Sequence, residues 1–411
     1  MKRIITSLCI VLLFIGSTMP GVTIAAESSQ VIAITLEDAV EKAIESDENI
    51  AILNYQLKVF EHQVKDAENQ EDDLDDNGVD EDEEIDDDTL LAMCGVPDTP
   101  EYMQCFITQV TIQVQLQQMF GDQQKMSEKQ RKESRKQIVR QIEQLNIETD
   151  KSEISLEELR AGVKLMVASE YVKVLMLEKQ TDMLQHQFEM AKQDLTIKQL
   201  QFELGLISED VLDKAVEARD DAMKAVEDSK ENTSYELYKL AFTLDIPSTA
   251  KLKLDDIEIP TDKVTMKESQ IDSFVENTFK VQKEVKNVEL AKFNMKRVTR
   301  SEERKAEEYR VKIAEEQLAQ LKQSLETKIQ DTFKQAEDAF EATEVAVAAY
   351  EDTQEDYDTF ELQYELGFIS KQQLDQLKAT VLQAEVNAAV KQYEYFLAYE
   401  QLKALQEGYI M

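Results

Sequence analysis

Apolar residues recur along most of the chain at the three- and four-residue steps of a helix that shows one face to a partner. The clearest run is Val311, Ala314, Leu318, Leu321 and Leu325. A second takes Leu374, Leu377, Val381, Ala384, Ala388, Lys391, Tyr395, Ala398, Leu402 and Leu405, with Lys391 as its polar interruption. Such spacing specifies coiled-coil packing, and small residues along the seam let helices approach closely. Upstream, the pattern predicts a short helix from Thr35 to Glu45 and a second from about Glu48 to Asn69, with Ile52, Tyr55, Val59 and Val64 on one side. A very long helix follows from about Lys129 to Glu203, then an Ala-rich return from Ser208 to Leu244. Strict alternation appears from Val110 to Gln117 and predicts a strand. Gln30 to Ala33 and Leu252 to Thr261 read as extended connections.

One stretch occurs twice. Phe202-Glu203-Leu204-Gly205-Leu206-Ile207-Ser208 returns as Tyr364-Glu365-Leu366-Gly367-Phe368-Ile369-Ser370. In both copies a helical pattern runs to an aromatic-x-Leu-Gly, breaks, and restarts at Ser, which predicts the tip of a helical hairpin. Glycine takes the left-handed position after the last turn, and Ser208 or Ser370 offers a hydroxyl cap to the returning helix. A second landmark pair is Thr35-Leu36-Glu37-Asp38-Ala39-Val40 and Thr265-Met266-Lys267-Glu268-Ser269-Gln270. The expected organisation is a first repeat over 26–262, carrying an acidic and Cys-containing insert at about 70–124, and a second repeat over 263–411. The fold class expected is all-α, built from long antiparallel coiled-coil hairpins.

Composition narrows the function classes. The formal net charge is −38, from 84 acidic and 46 basic residues, so the chain repels nucleic acid and favours cationic partners. Nine glycines, five prolines and no tryptophan beside 32% charged residues fit long helices, not a compact α/β enzyme. Lys2-Arg3, the apolar run Ile4 to Ile15 and Thr23-Ile24-Ala25-Ala26 read as a secretory signal peptide over 1–25. A retained membrane anchor is the alternative, though the run is short for a spanning helix. No nucleophile with a base, no phosphate-binding glycine loop and no histidine cluster appears, so no catalytic residue is assigned.

The insert is the most individual part of the chain. From Glu71 to Asp88, thirteen of eighteen residues are acidic, with no Lys or Arg between Lys65 and Lys125. Within it, Asp73-x-Asp75-x-Asn77-Gly78 followed by Glu84 has the spacing of a calcium loop: oxygen ligands, a glycine turn and a final carboxylate. The other reading is a solvated acidic run, favoured by Asp80 where such loops carry an aliphatic residue. No other cofactor is expected. Cys94 and Cys105 are the two cysteines left once the leader is removed, and a disulfide between them is expected in an exported chain, with free thiols as the alternative. His62 and His186 lie on helical patterns as surface or packed residues.

The ordered set of these motifs resembles the TolC family of outer-membrane efflux proteins. It comprises the Thr-capped short helix, the break Ser46-Asp47-Glu48-Asn49, the long helix, the Gly-x-x-Ser tip, the Ala-rich helix and Leu244-Asp245-Ile246-Pro247. The resemblance implies three copies forming a helical tube. It also implies an adaptor protein meeting the tips at Gly205, Ser208, Gly367 and Ser370, and a transporter in the cytoplasmic membrane supplying energy. The family builds a membrane barrel from two strand hairpins per protomer. Here the pattern from Lys296 to Glu303 stays helical, without strand or glycine, so those two helices must fuse or meet through a very short turn. With one alternating strand and no aromatic girdle, an ordinary outer-membrane barrel is not expected. The expected role is an exported envelope conduit or docking component of an efflux or secretion assembly. The alternative is a non-conducting envelope or surface scaffold, tuned by calcium.

Overall fold

The computed structural model describes residues 31–75, 108, 128–247, 250–265 and 270–411. The expected signal peptide (1–25), the insert beyond Asp75 with Asn77, Glu84, Cys94 and Cys105, and the strand expected at Val110 to Gln117 lie outside these residues. Strand β1 (Val31–Ile34) leads into α1 (Leu36–Ser46), α2 (Glu48–Asp75), α3 (Glu128–Glu203) and α4 (Glu209–Thr243). Strand β2 (Lys251–Leu254) leads into α5 (Ile271–Asn277), α6 (Phe279–Arg297), α7 (Ser301–Glu365) and α8 (Lys371–Gln406).

Each boundary has a local cause. The Thr35 hydroxyl accepts from the Asp38 amide at 3.1 Å and starts α1. Asp47 ends α1 and caps α2, its carboxylate accepting from the amides of Asn49 and Ile50 at 2.8 and 2.9 Å. Thr278 repeats that arrangement between α5 and α6, donating to the Val275 carbonyl at 2.8 Å and accepting from the Val281 amide. The Leu-Asp-Ile-Pro break turns at Asp245, whose φ of 50° is the left-handed conformation that aspartate tolerates.

Four helical columns lie side by side. In the lower half the order is α4, α3, α8, α7; in the upper half α2 takes the place of α4 and α6 that of α8. Two junctions hold the stacked helices in line. Ser46 Oγ reaches the Thr243 carbonyl at 3.4 Å where α1 and α4 end, and the Phe279 amide donates to the Gly408 carbonyl at 2.8 Å where α8 meets α6. At the upper end, ion pairs Lys283–Glu158 and Lys286–Asp150 join α6 to α3. The apolar core divides into one cluster around Val167, Tyr171, Val172, Leu240 and Leu244, and another around Val281, Leu325, Ile329 and Leu405.

Two expectations change. Helix α2 runs to Asp75, two turns past Asn69, because Glu, Asp and Gln sustain a helix as long as one face stays packed. The connection after Leu252 is not a plain linker: β2 pairs in parallel with β1, Val31 opposite Lys251 and Ile34 opposite Leu254. The first described helix after Thr265 is α5, from Ile271, and Met266 to Ser269 lie outside the described residues. The very short turn expected near Lys296 is present. Only Val298, Thr299 and Arg300 separate α6 from α7.

Candidate docking tips

Helix α3 descends to Glu203 while α8, packed along it, ascends from Lys371, so both hairpin tips lie at one end of the molecule. Gly205 and Gly367 have φ of 72° and 79°. Both tips close with the same pair of backbone bonds. Gly205 N donates to Phe202 O at 2.8 Å and Leu206 N to Gln201 O at 2.8 Å, while Gly367 N donates to Tyr364 O and Phe368 N to Gln363 O at 2.9 Å each. These 5→2 and 6→1 bonds satisfy carbonyls the helix end would leave open, and they require left-handed backbone at the glycine. Nothing lies within 4 Å of a Cβ placed at either glycine, so conformation rather than crowding selects the residue.

The two returns differ. Ser370 forms a full capping box: its Oγ accepts from the Gln373 amide at 3.3 Å and its own amide donates to Gln373 Oε1 at 2.9 Å. Ser208 has the same backbone conformation but its hydroxyl makes no cap bond, a correction to the expected symmetry. The third helical residue there is Val211, whose side chain carries no acceptor to reciprocate.

Each tip turn presents apolar residues to solvent: Leu204 and Leu206 on the first, Leu366 and Phe368 on the second, with Phe368 77% exposed. Carboxylates flank them. Glu203, Glu209 and Asp210 border the first turn, and α7 carries eleven Asp and Glu and no Lys or Arg between Lys334 and Lys371. The tips are therefore apolar crowns inside an anionic collar, able to take an apolar hairpin of cationic surroundings.

The outer columns are open along their length. On α4, Tyr235, Tyr238 and Phe242 form an exposed stripe at three- and four-residue steps, and on α7 at the opposite edge Val345 is 71% exposed. Sequence periodicity marked these helices but not which face remains uncovered.

Of the residues expected to hold calcium, Asp73 is exposed in the last turn of α2 and Asp75 is its final residue. Among the described residues no group of three or more His, Cys, Asp and Glu is placed to hold a metal. A hollow of about 470 Å³, lined by Leu53, Glu158, Gly162, Lys280 and Tyr409, opens broadly to solvent and gathers no nucleophile with a base. No helix among the described residues is long and apolar enough to cross a membrane.

No family model matches the chain, and no curated protein does. Solved structures do. The outer membrane protein VceC of Vibrio cholerae superposes with a TM-score of 0.53 over 91% of this chain and 97% of that one, at 11% identity. The chain has a TolC-like fold. The outer-membrane channel OprN aligns with the TolC-like chain at a TM-score of 0.51, with 12% identity over 91% of this chain and 90% of that one. CusC gives 0.51, with 10% identity over 88% and 91%. At such identities the likeness is one of backbone path, carried by the paired hairpins and the columns they form.

Proposed function

We propose that this protein is an exported envelope component that serves as the conduit or docking element of an efflux or secretion assembly. The single observation that carries the reading is the pair of apolar, Schellman-closed tips held at one end of a layer whose two edges are open. Tips of this kind suit a partner that grips hairpin ends, which the TolC resemblance identifies as an adaptor protein linked to a cytoplasmic-membrane transporter. The open edges suit head-to-tail closure, α4 with α2 of one copy meeting α7 of the next, and a trimer is the closure the resemblance implies. Duplication of one unit, with its boundary near 262, accounts for a strand followed by four helices occurring twice among the described residues. The neighbours named as outer-membrane channels support an envelope location and a transport role in place of enzymatic chemistry.

One observation favours a second reading. The three-residue turn between α6 and α7 leaves the second hairpin no strands for a membrane barrel. A scaffold that kept the hairpins without conducting would have this form. The test is mass in solution joined to pull-down with a candidate adaptor protein. A trimer whose adaptor binding is lost in a Gly205→Val, Gly367→Val double variant supports the docking role, and a strictly monomeric species at high concentration overturns the tube.

A further inference from the structure

The end of the molecule opposite the tips reverses the charge of the rest. Helix α3 begins there at Glu128, about 110 Å from its tip end at the rise of a helix, and the turn between α6 and α7 lies beside it. Arg140 of α3 fixes that juxtaposition, its Nη2 donating to the Arg297 carbonyl at 3.2 Å. Segments 128–140 and 296–305 together hold eleven Lys and Arg against four Glu, in a chain whose formal net charge is −38. So concentrated a cationic face on so anionic a protein calls for an anionic occupant.

The described residues supply only part of that counter-charge. On the α3 side, the last turns of α2 bring Glu71 to Arg135 at 3.1 Å. On the α6–α7 side, Arg300, Arg304 and Lys305 reach only Glu303, Glu308 and Glu302, carboxylates of the first turns of α7 itself, and the Arg300 side chain stays 82% exposed. Exposed pairs of this kind are worth little each and exchange readily. Lys296 is exposed and Arg297 lies over the Phe293 ring at 4.5 Å, and neither has a carboxylate partner among the described residues.

We propose that this face is the docking surface of the chain's own acidic segment 76–88. Position favours that occupant: α2 ends at Asp75 beside the start of α3, as the Glu71–Arg135 pair requires, so the segment leaves from the rim of the face. Charge favours it too, since nine of its thirteen residues are Asp or Glu, against eleven cations less four carboxylates on the face, seven net. The reach is sufficient. Crossing α3 to the α6–α7 turn takes about 25 Å at ordinary helix spacings, and thirteen extended residues span about 43 Å. Tethered so close, the run acts at an effective concentration of about millimolar, which a dilute free anion does not match. This pairing goes beyond the docking reading of the tips and depends on neither an adaptor nor a trimer.

Carbodiimide coupling tests this on the whole exported chain, because the reagent joins a carboxylate to a lysine amine only where the two touch. A mixture of isotope-labelled and unlabelled chains separates links within a chain from links between copies. Mass spectrometry should find carboxylates of 76–88 joined within one chain to Lys296 or Lys305. Raising the salt to about 1 M, where screening acts over about 3 Å, should lower that yield at least about fivefold. A variant with the nine carboxylates of 76–88 replaced by Asn and Gln keeps the length and bares the face. On immobilised heparin, a sulfated polyanion, it should elute at a salt concentration at least about twofold above wild type, and adding Lys296→Glu, Arg300→Glu and Lys305→Glu should abolish that gain. Links made mainly between copies, or absent from both lysines, overturn the proposal. So does equal elution of wild type and neutralised variant, or a gain that survives the three reversals. Wild type that binds vesicles of anionic phospholipid as tightly as the neutralised variant would overturn it as well, making a membrane the occupant. Loss of trimer or of adaptor binding would sink the conduit reading and leave this result standing.

Discussion

Tyr171 pins the two strands to the central column, and removing only its hydroxyl isolates that contribution. The side chain is fully buried; its hydroxyl donates to the Asp255 carbonyl at 2.6 Å and lies 2.9 Å from the Ile34 carbonyl. In Tyr171→Phe the Ile34 carbonyl keeps a donor, the Asp255 amide at 3.1 Å, whereas the Asp255 carbonyl loses its partner. One lost bond and one under-satisfied acceptor at the edge of the core predict about 1–3 kcal/mol. Tyr171→Ala adds a cavity and should cost about 3–5 kcal/mol, as other deletions of buried aromatic rings do. Urea unfolding at neutral pH measures both, and exchange of the β1 and β2 amides locates the loss. The strands should lose protection before α7 and α8, because their pairing in parallel depends on α3 beneath them. Equal protection of β1 and β2 in wild type and Tyr171→Phe would refute the reasoning. Alkali probes the same site: burial pushes the Tyr171 hydroxyl from its ordinary 10 up to about 12. The folded state thus holds the proton more tightly, and stability should fall as pH rises from about 10, where the unfolded chain ionises first. Tyr393, also raised by burial and then by Asp256, acts in the same direction.

Three further outcomes are expected. Gly205→Val or Gly367→Val should destabilise its tip by about 1–2 kcal/mol, since a side chain at positive φ is strained, and adaptor binding should weaken before the helices melt. Unchanged binding in both variants would count against the tips as docking elements. Phe242→Glu or Val345→Glu, each placed on an open edge, should lower the trimer fraction seen by light scattering without altering the monomer's helix content, and an unaffected oligomer would remove those edges from the interface. From Glu71 to Asp88 thirteen of eighteen residues are acidic, and so dense a run attracts divalent ions along its whole length without a fixed ligand set. Calorimetric titration should therefore show several weakly held divalent ions, with little preference for calcium and little effect of Glu84→Gln; a single calcium-selective site lost in that variant would refute this.

What the sequence determined by itself is everything coded within a few turns. The hairpin tips were legible because left-handed backbone at Gly205 and Gly367 and a restart at Ser are local demands on residue type. Thr35 as a cap, the long run to Glu203 and the near-absence of a connection after Arg297 were legible for the same reason. Even the unequal caps were within reach, since Gln373 stands three residues after Ser370 and Val211 three after Ser208. Tertiary structure alone decided the pairing of β1 with β2, four-residue segments too short to declare a partner more than two hundred positions away. It also decided the stacking of α4 beneath α2 and of α8 beneath α6. Gly408 belongs to that second junction: a Cβ there would meet the Asn277 carbonyl at 2.6 Å, a constraint imposed by a neighbour remote in the chain. Helical periodicity states which face is apolar without stating what will cover it.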